Sequence, residues 1–145
     1  MSTRDEPAAG SRFTRWPWWR KWFGFRSERA AARTLRKLGY RILACNLADS
    51  RGEIDLLALD RETIVIVEVR SSETKDFDTL AASVDAGKQK RLTNAALRFL
   101  QRRKLLNVAV RFDVLAICWP PEESKPRVRH YVNAFEATGR FQMYS

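Results

Sequence analysis

A chain of 145 residues, 45% hydrophobic and 30% charged, has the size and composition of one ordinary globular domain rather than of a disordered protein. Its charge is not ordinary: 27 Lys and Arg against 17 Asp and Glu leave a net +10. So basic a small protein points to a polyanionic partner, nucleic acid first and an anionic membrane surface second.

Residues 1–26 differ in character from the rest of the chain. Trp16, Trp18, Trp19 and Trp22 lie among Arg12, Arg15, Arg20, Lys21 and Arg26, and six basic residues against two acidic give the segment +4. Pro17 interrupts any helix here, and no period of 3.6 or 2 persists. The expectation is a flexible basic-aromatic arm, residues 1–26, joined to a single domain over residues 27–145. Such an arm can stack on unpaired bases or rest among lipid headgroups; packing loosely on the domain is the plainer alternative.

The domain begins with a predicted helix from Ser27 to Leu38, with Ser27 as N-cap and Gly39 as stop. Its apolar stripe is Ala31, Ala32, Leu35 and Leu38, and helical spacing adds Glu28 to that stripe. Three strand candidates come next: Tyr40–Leu47, Glu53–Leu59 and Thr63–Arg70. Their short loops require antiparallel neighbours. Residues 71–82 read as irregular. A second helix is predicted from Asp85 to Lys104, with Leu92, Ala95, Ala96, Phe99 and Leu100 on one face and Lys88 one turn earlier on the same face. Val108–Cys118 is apolar on both sides, as a central strand would be. A loop, Pro120–Pro126, and an edge strand, Arg129–Ala134, complete the chain. The fold class is α/β, with an α-β-β-β-α-β core and a mixed sheet flanked by helices.

Cys45 and Cys118 fit neither a zinc pattern nor a disulfide framework, and are expected as buried small hydrophobes in a reducing compartment. His130 has no acidic neighbour in sequence and signals nothing. No apolar run approaches the ~20 residues of a spanning helix, and an uninterrupted signal-peptide core is lacking, so the expected location is cytoplasmic.

The chemistry is concentrated in the second and third strands. If their connection has an even number of residues, Arg61-Glu62 or the four from Asp60 to Thr63, paired residue numbers sum to 123, and Asp55 falls opposite Glu68 and Glu53 opposite Arg70. Directly opposed side chains have Cβ atoms about 4.5–5.5 Å apart. Two carboxylates there, among Ile54, Leu56, Leu57, Ile64, Val65, Ile66, Val67 and Val69, repel one another and lose hydration. A hard divalent cation offsets both costs, because Mg²⁺ takes one or two carboxylates together with water and phosphate oxygens. The alternative is a structural ion-pair cluster with Arg70 and nearby lysines.

The pattern Gly52-Glu53-Ile54-Asp55-Leu56-Leu57, then Glu68-Val69-Arg70 with twelve residues between Asp55 and Glu68, resembles the PD-(D/E)-x-K nuclease superfamily. More narrowly it is similar to the YraN-like family, uncharacterised protein family 0102. Ser27-Glu28-Arg29-Ala30-Ala31, Leu38-Gly39-Tyr40-Arg41-Ile42-Leu43, Gly52 to Ala58, Val65 to Arg70 and Phe112-Asp113-Val114 carry the resemblance. It implies a restriction-endonuclease-like fold and, by analogy with archaeal Holliday junction resolvases, a metal-dependent endonuclease acting on DNA, branched or damaged forms included. On this resemblance Asp55 and Glu68 ligate Mg²⁺ or Mn²⁺ with the Val69 carbonyl, and Glu28 matches the first-helix acid of resolvase-like members. The superfamily's lysine falls on Arg70. Lys88 is then either a stand-in from the second helix or a surface or phosphate-binding lysine. Two rival readings are a DNA-binding module without turnover, motivated by Arg70, and a peripheral membrane or interaction domain using the Trp-rich arm. The partners expected are nucleic acid, DNA favoured, then an anionic membrane surface through residues 12–26 and a second copy of the chain.

Overall fold

The structure, a computed structural model, describes residues 26–137 and the two-residue strand Trp19–Arg20. The elements are β1 (Trp19–Arg20), α1 (Arg26–Lys37), β2 (Arg41–Asp49), β3 (Gly52–Asp60), β4 (Thr63–Ser72), α2 (Phe77–Ala82), α3 (Ala86–Arg102), β5 (Val110–Cys118) and β6 (Arg127–Phe135). The predicted core is α1-β2-β3-β4-α3-β5. The sheet follows chain order from β1 to β6; β4 and β5 are parallel and every other neighbouring pair is antiparallel. Only the β4–α3–β5 crossover is long enough to return the chain in the same direction.

Each face of the sheet buries a separate apolar layer. On one, Ala30, Ala31, Ala32 and Leu35 of α1 cover Ile42, Leu56, Ala58, Val65, Val67, Leu115 and Ile117. The other face packs Leu92, Ala95, Ala96, Phe99 and Leu100 of α3 on Leu47, Ile54, Leu57, Ile64, Ile66 and Phe112. Alternate residues of β4 enter opposite layers, so its central run is apolar throughout, as a strand covered on both faces requires. A bidentate contact ties α3 to the end of β2: Arg98 donates to Asp49 from Nε at 2.6 Å and from Nη2 at 3.0 Å.

Several local expectations need correction. Helix α1 starts at Arg26, and Ser27 is not a cap; its hydroxyl accepts from the Trp119 indole N–H at 2.8 Å. Gly39 ends the helix in the left-handed region (φ +92°), with Tyr40 N–H reaching back to the Leu35 carbonyl at 3.0 Å. Leu38 thus lies beyond the last turn and is exposed rather than part of the buried stripe. Residues 71–82 are not wholly irregular: β4 runs on to Ser72, and Asp76 caps α2 by accepting from Thr79 N–H at 2.8 Å. Cys45 and Cys118 are half-buried, not fully buried. Within the arm, Trp19 and Arg20 pair with Ala48 and Leu47 of β2. The rest of the expected arm, residues 1–18 and 21–25, lies outside the described residues. No helix among the described residues is long and apolar enough to cross a membrane.

Candidate metal centre

Strands β3 and β4 are joined by the two-residue turn Arg61-Glu62, with Arg61 in the left-handed region (φ +57°). The pairing runs from Asp60 opposite Thr63 to Leu56 opposite Val67, so the register summing to 123 is the one observed. The ladder then stops one pair short of Asp55 and Glu68. In place of the next rung, the Asp55 Oδ2 accepts from the Val69 backbone N–H at 2.9 Å. Regular alternation also fails here, since Ile54 packs in the α3 layer and Leu56 in the α1 layer. Opposite this break, Asn46 of β2 takes a left-handed conformation (φ 51°). Beyond it β4 continues alone with β5, pairing Glu68 with Val114 and Arg70 with Ala116.

Glu68 shares a face with Ile64 and Ile66 and therefore points to the α3 side. Its side chain is 5% exposed, and its Oε2 lies 3.3 Å from Arg70 Nε and 3.5 Å from Lys88 Nζ. Both distances exceed the 2.7–2.9 Å of a tight charge-assisted hydrogen bond. The other oxygen, Oε1, is buried with no hydrogen-bond partner among the described residues. Burial, and next the negative charge of Asp55, push the Glu68 carboxyl up to about 8; Lys88 and Arg70 offset only part of this. Burial thus favours the protonated carboxyl in the metal-free fold.

Asp55, Glu68, Arg70 and Lys88 are thus brought together. Arg70 does not pair with Glu53: Glu53 sits opposite Ala48 of β2, and Arg70 meets Glu68 instead. Lys88 is half-buried at the carboxylate rather than on the surface, because Asp85 caps α3 through Lys88 N–H at 2.9 Å and sets the first turn of the helix over Glu68. Glu28 is half-buried near the start of α1, on the other face. With Arg26, Ser27, Val69, Ser71, Ser72, Glu73 and Trp119 it lines a cleft of about 400 Å³. Val69 links the two sides, its N–H bound to Asp55 and its side chain in the Glu28 cleft.

No group of three or more His, Cys, Asp or Glu among the described residues is arranged to hold a metal ion. A closed all-protein cage is therefore not present among them. A carboxylate pair completed by a main-chain carbonyl and water is a donor set that suits Mg²⁺. The unpartnered Glu68 Oε1 and the raised pKa fit that group, because a cation supplies the charge that Lys88 and Arg70 leave uncompensated.

A second polar network was missed by sequence reasoning. The fully buried Asp113 accepts from Arg111 Nε (3.0 Å) and Nη2 (3.1 Å), meets His130 Nε2 at 2.7 Å, and accepts from Asn133 N–H at 2.9 Å. Arg111 also bonds Asp60 at 2.9 Å and the Tyr40 hydroxyl. Burial alone would raise the Asp113 pKa, but the bonds from His130, Arg111 and Asn133 hold it below the usual carboxylate range. The network joins the start of β2, the end of β3, β5 and β6, and acts as a structural lock. Its one signal in the sequence was Arg111-Phe112-Asp113, charges two apart on an otherwise apolar strand.

A sequence profile of the uncharacterised protein family UPF0102 matches residues 27–117. A UPF0102 protein of Rhodopirellula baltica is 47% identical over 124 residues, covering 83% of this chain and 74% of its own. The chain belongs to this family. A Geobacter sulfurreducens UPF0102 protein is 40% identical over 80% of this chain and 90% of its own, and one from Clostridium perfringens is 38% identical over 79% and 94%. The profile begins at α1 and ends within β5, so the UPF0102 match spans Glu28, Asp55, Glu68, Arg70, Lys88, Arg111 and Asp113 and leaves out the N-terminal segment and β6 with His130 and Asn133.

Proposed function

We propose that this UPF0102 protein is a metal-dependent nuclease that hydrolyses phosphodiester bonds, with DNA as the favoured substrate. The observation that supports this reading best is the parting of β3 and β4 at Asp55 and Glu68, with Arg70 and Lys88 directed at the same carboxylate. On this reading Asp55, Glu68 and the Val69 carbonyl hold Mg²⁺ or Mn²⁺. When bound, the ion supplies an activated water and offsets charge building on the phosphate.

The chain's own residues do the rest. Asp55 keeps β3 and β4 apart by occupying the Val69 N–H. Glu68 must give up its proton to become a ligand, and Lys88 and Arg70 lower the cost of the charge it acquires. An arginine side chain is no base for water, and the planar fork of Arg70 grips phosphate oxygens instead. Lys88 also serves a transferred phosphate as a point charge. Glu28 borders the neighbouring cleft beside Val69, where a water or a scissile-strand phosphate can be oriented. A cytoplasmic location belongs to the same proposal and is supported by the Cys118 thiol, which forms no disulfide among the described residues.

The experiment is a Mg²⁺/Mn²⁺ cleavage panel over single-stranded, duplex, flapped and four-way DNA, with Asp55→Asn as control. Cleavage that requires metal and is lost in the control supports the reading. One observation favours a second reading, a DNA-binding module without turnover: Arg70 is already paired with Glu68. Binding without cleavage on every DNA would select it.

A further inference from the structure

The excess positive charge is unevenly distributed. Residues 27–41 hold five basic residues against one acidic, +4, whereas residues 42–145 hold sixteen against fourteen, +2. Those five are Arg29, Arg33, Arg36, Lys37 and Arg41, all exposed. At 100° per residue the four on α1 fall within roughly a 100° arc opposite buried Leu35. Arg41 comes directly after the Gly39 turn. Among the described residues, no carboxylate comes within ion-pair distance of Arg29, Arg33, Lys37 or Arg41; Arg102, Lys104 and Lys125 share that lack, but Arg29, Arg33 and Lys37 combine it with one continuous helix face.

A merely solvated helix face normally intersperses acids at i+3 and i+4, and like charges at those spacings destabilise. Here Arg29, Arg33 and Lys37 are spaced by four with no acid between them on the face. Arg29 also sits near the helix N-terminus, where the dipole disfavours a cation. The α1 helix accepts these costs while its buried side is almost entirely small Ala residues plus Leu35. Its N-terminal residues Arg26, Ser27 and Glu28 line the cleft that contains Val69, and Val69 is bonded to Asp55. The charged face therefore borders the Glu28 cleft on the α1 side of the sheet, with Val69 between that cleft and Asp55.

We propose that the outward face of α1, through Arg29, Arg33, Lys37 and Arg41, is the track on which a nucleic-acid phosphate backbone lies as it reaches the Glu28–Val69 cleft beside Asp55. This inference rests on the nuclease reading for its direction but not for its binding. Arg29 to Lys37 spans about 12 Å, the rise of three to four nucleotides of one strand. The contacts are to phosphate, so they confer affinity without sequence preference.

The test is fluorescence anisotropy with the full chain in EDTA, using labelled duplex and four-way DNA over a range of salt. The exposed triple variant Arg29→Gln/Arg33→Gln/Lys37→Gln is expected to bind at least tenfold more weakly near 0.15 M salt. Its slope of log affinity against log salt should flatten by about 2–3, near 0.9 per lost contact. A control with equal charge loss on exposed residues elsewhere, Arg102→Gln/Lys104→Gln/Lys125→Gln, should stay within about threefold of the wild type. Circular dichroism melts of both variants confirm that each is folded. Equal loss in the two variants would mean net charge alone acts and would overturn the track, as would wild-type affinity in the α1 variant or no DNA binding by the wild type. Loss of binding to phosphatidylserine vesicles with DNA affinity intact would assign the face to a membrane and also overturn it. Absence of cleavage with any metal would sink the nuclease reading yet leave these binding results interpretable.

Discussion

Replacing Glu68 by Gln should make the metal-free protein more stable at alkaline pH, even though it removes a member of the candidate site. The Glu68 carboxyl ordinarily titrates near 4.5 and is pushed up to about 8 by burial and by Asp55. Between these values the unfolded chain has lost a proton that the folded chain retains, so wild-type stability falls as pH rises from 4.5 to 8. Below 4.5 both states are protonated and the effect is absent; above 8 it is complete. At 1.36 kcal/mol per decade the accumulated loss is on the order of 5 kcal/mol. Gln keeps the shape and cannot ionise. In urea melts from pH 4 to pH 9 the difference between Glu68→Gln and wild type should move in favour of the variant by several kcal/mol, mostly between pH 5 and 8. Contributions from groups that do not touch the Glu68 cluster cancel in that difference. Mg²⁺ should stabilise only the wild type, and increasingly as pH rises towards 8, because ligation requires the ionised form. A difference constant to within about 1 kcal/mol over the whole range would show that Glu68 ionises freely when folded and would refute the electrostatic account of the site.

Metal binding should depend on the pair: titration calorimetry with Mn²⁺ should show heat for wild type and none for Asp55→Asn/Glu68→Gln, and equal binding by the two would place the metal elsewhere. Arg70→Lys should retain or raise single-turnover cleavage in Mn²⁺, whereas Arg70→Ala should lose phosphate affinity and rate; an Ala variant as fast as wild type would leave Arg70 only its Glu68 contact. Asp113→Asn should destabilise the fold by about 3–5 kcal/mol, since it removes the buried carboxylate that accepts from Arg111 and meets His130, leaving Arg111 with Asp60 as its one carboxylate partner among the described residues. Urea melts at neutral pH measure this, and a loss under about 1 kcal/mol would show the lock to be dispensable.

Much of this protein is determined by local pattern. Gly39 has no alternative as the α1 stop because its left-handed backbone disfavours a side chain, and the apolar stripe of α3 could face only the sheet. The two-residue turn at Arg61-Glu62 fixes the β3–β4 register, because turn length sets which residues oppose. From that register alone Asp55 and Glu68 were brought to the same end of the hairpin. What the sequence could not contain is where the ladder stops. The break at Asp55 depends on its carboxylate outcompeting a rung for Val69 N–H, on Asn46 across the sheet, and on β5 carrying β4 onward. Arg70's choice of Glu68 over Glu53 follows from that break, since past it Glu53 pairs with β2 and is no longer opposite. Lys88 reaches the carboxylate only because the crossover lays the first turn of α3 over β4, and His130 finds Asp113 only because β6 folds back on β5. Periodicity and turn length act over a few residues. Partners 17 or 20 residues apart, as in the Asp113 network, are chosen by the packing of the two layers on the sheet.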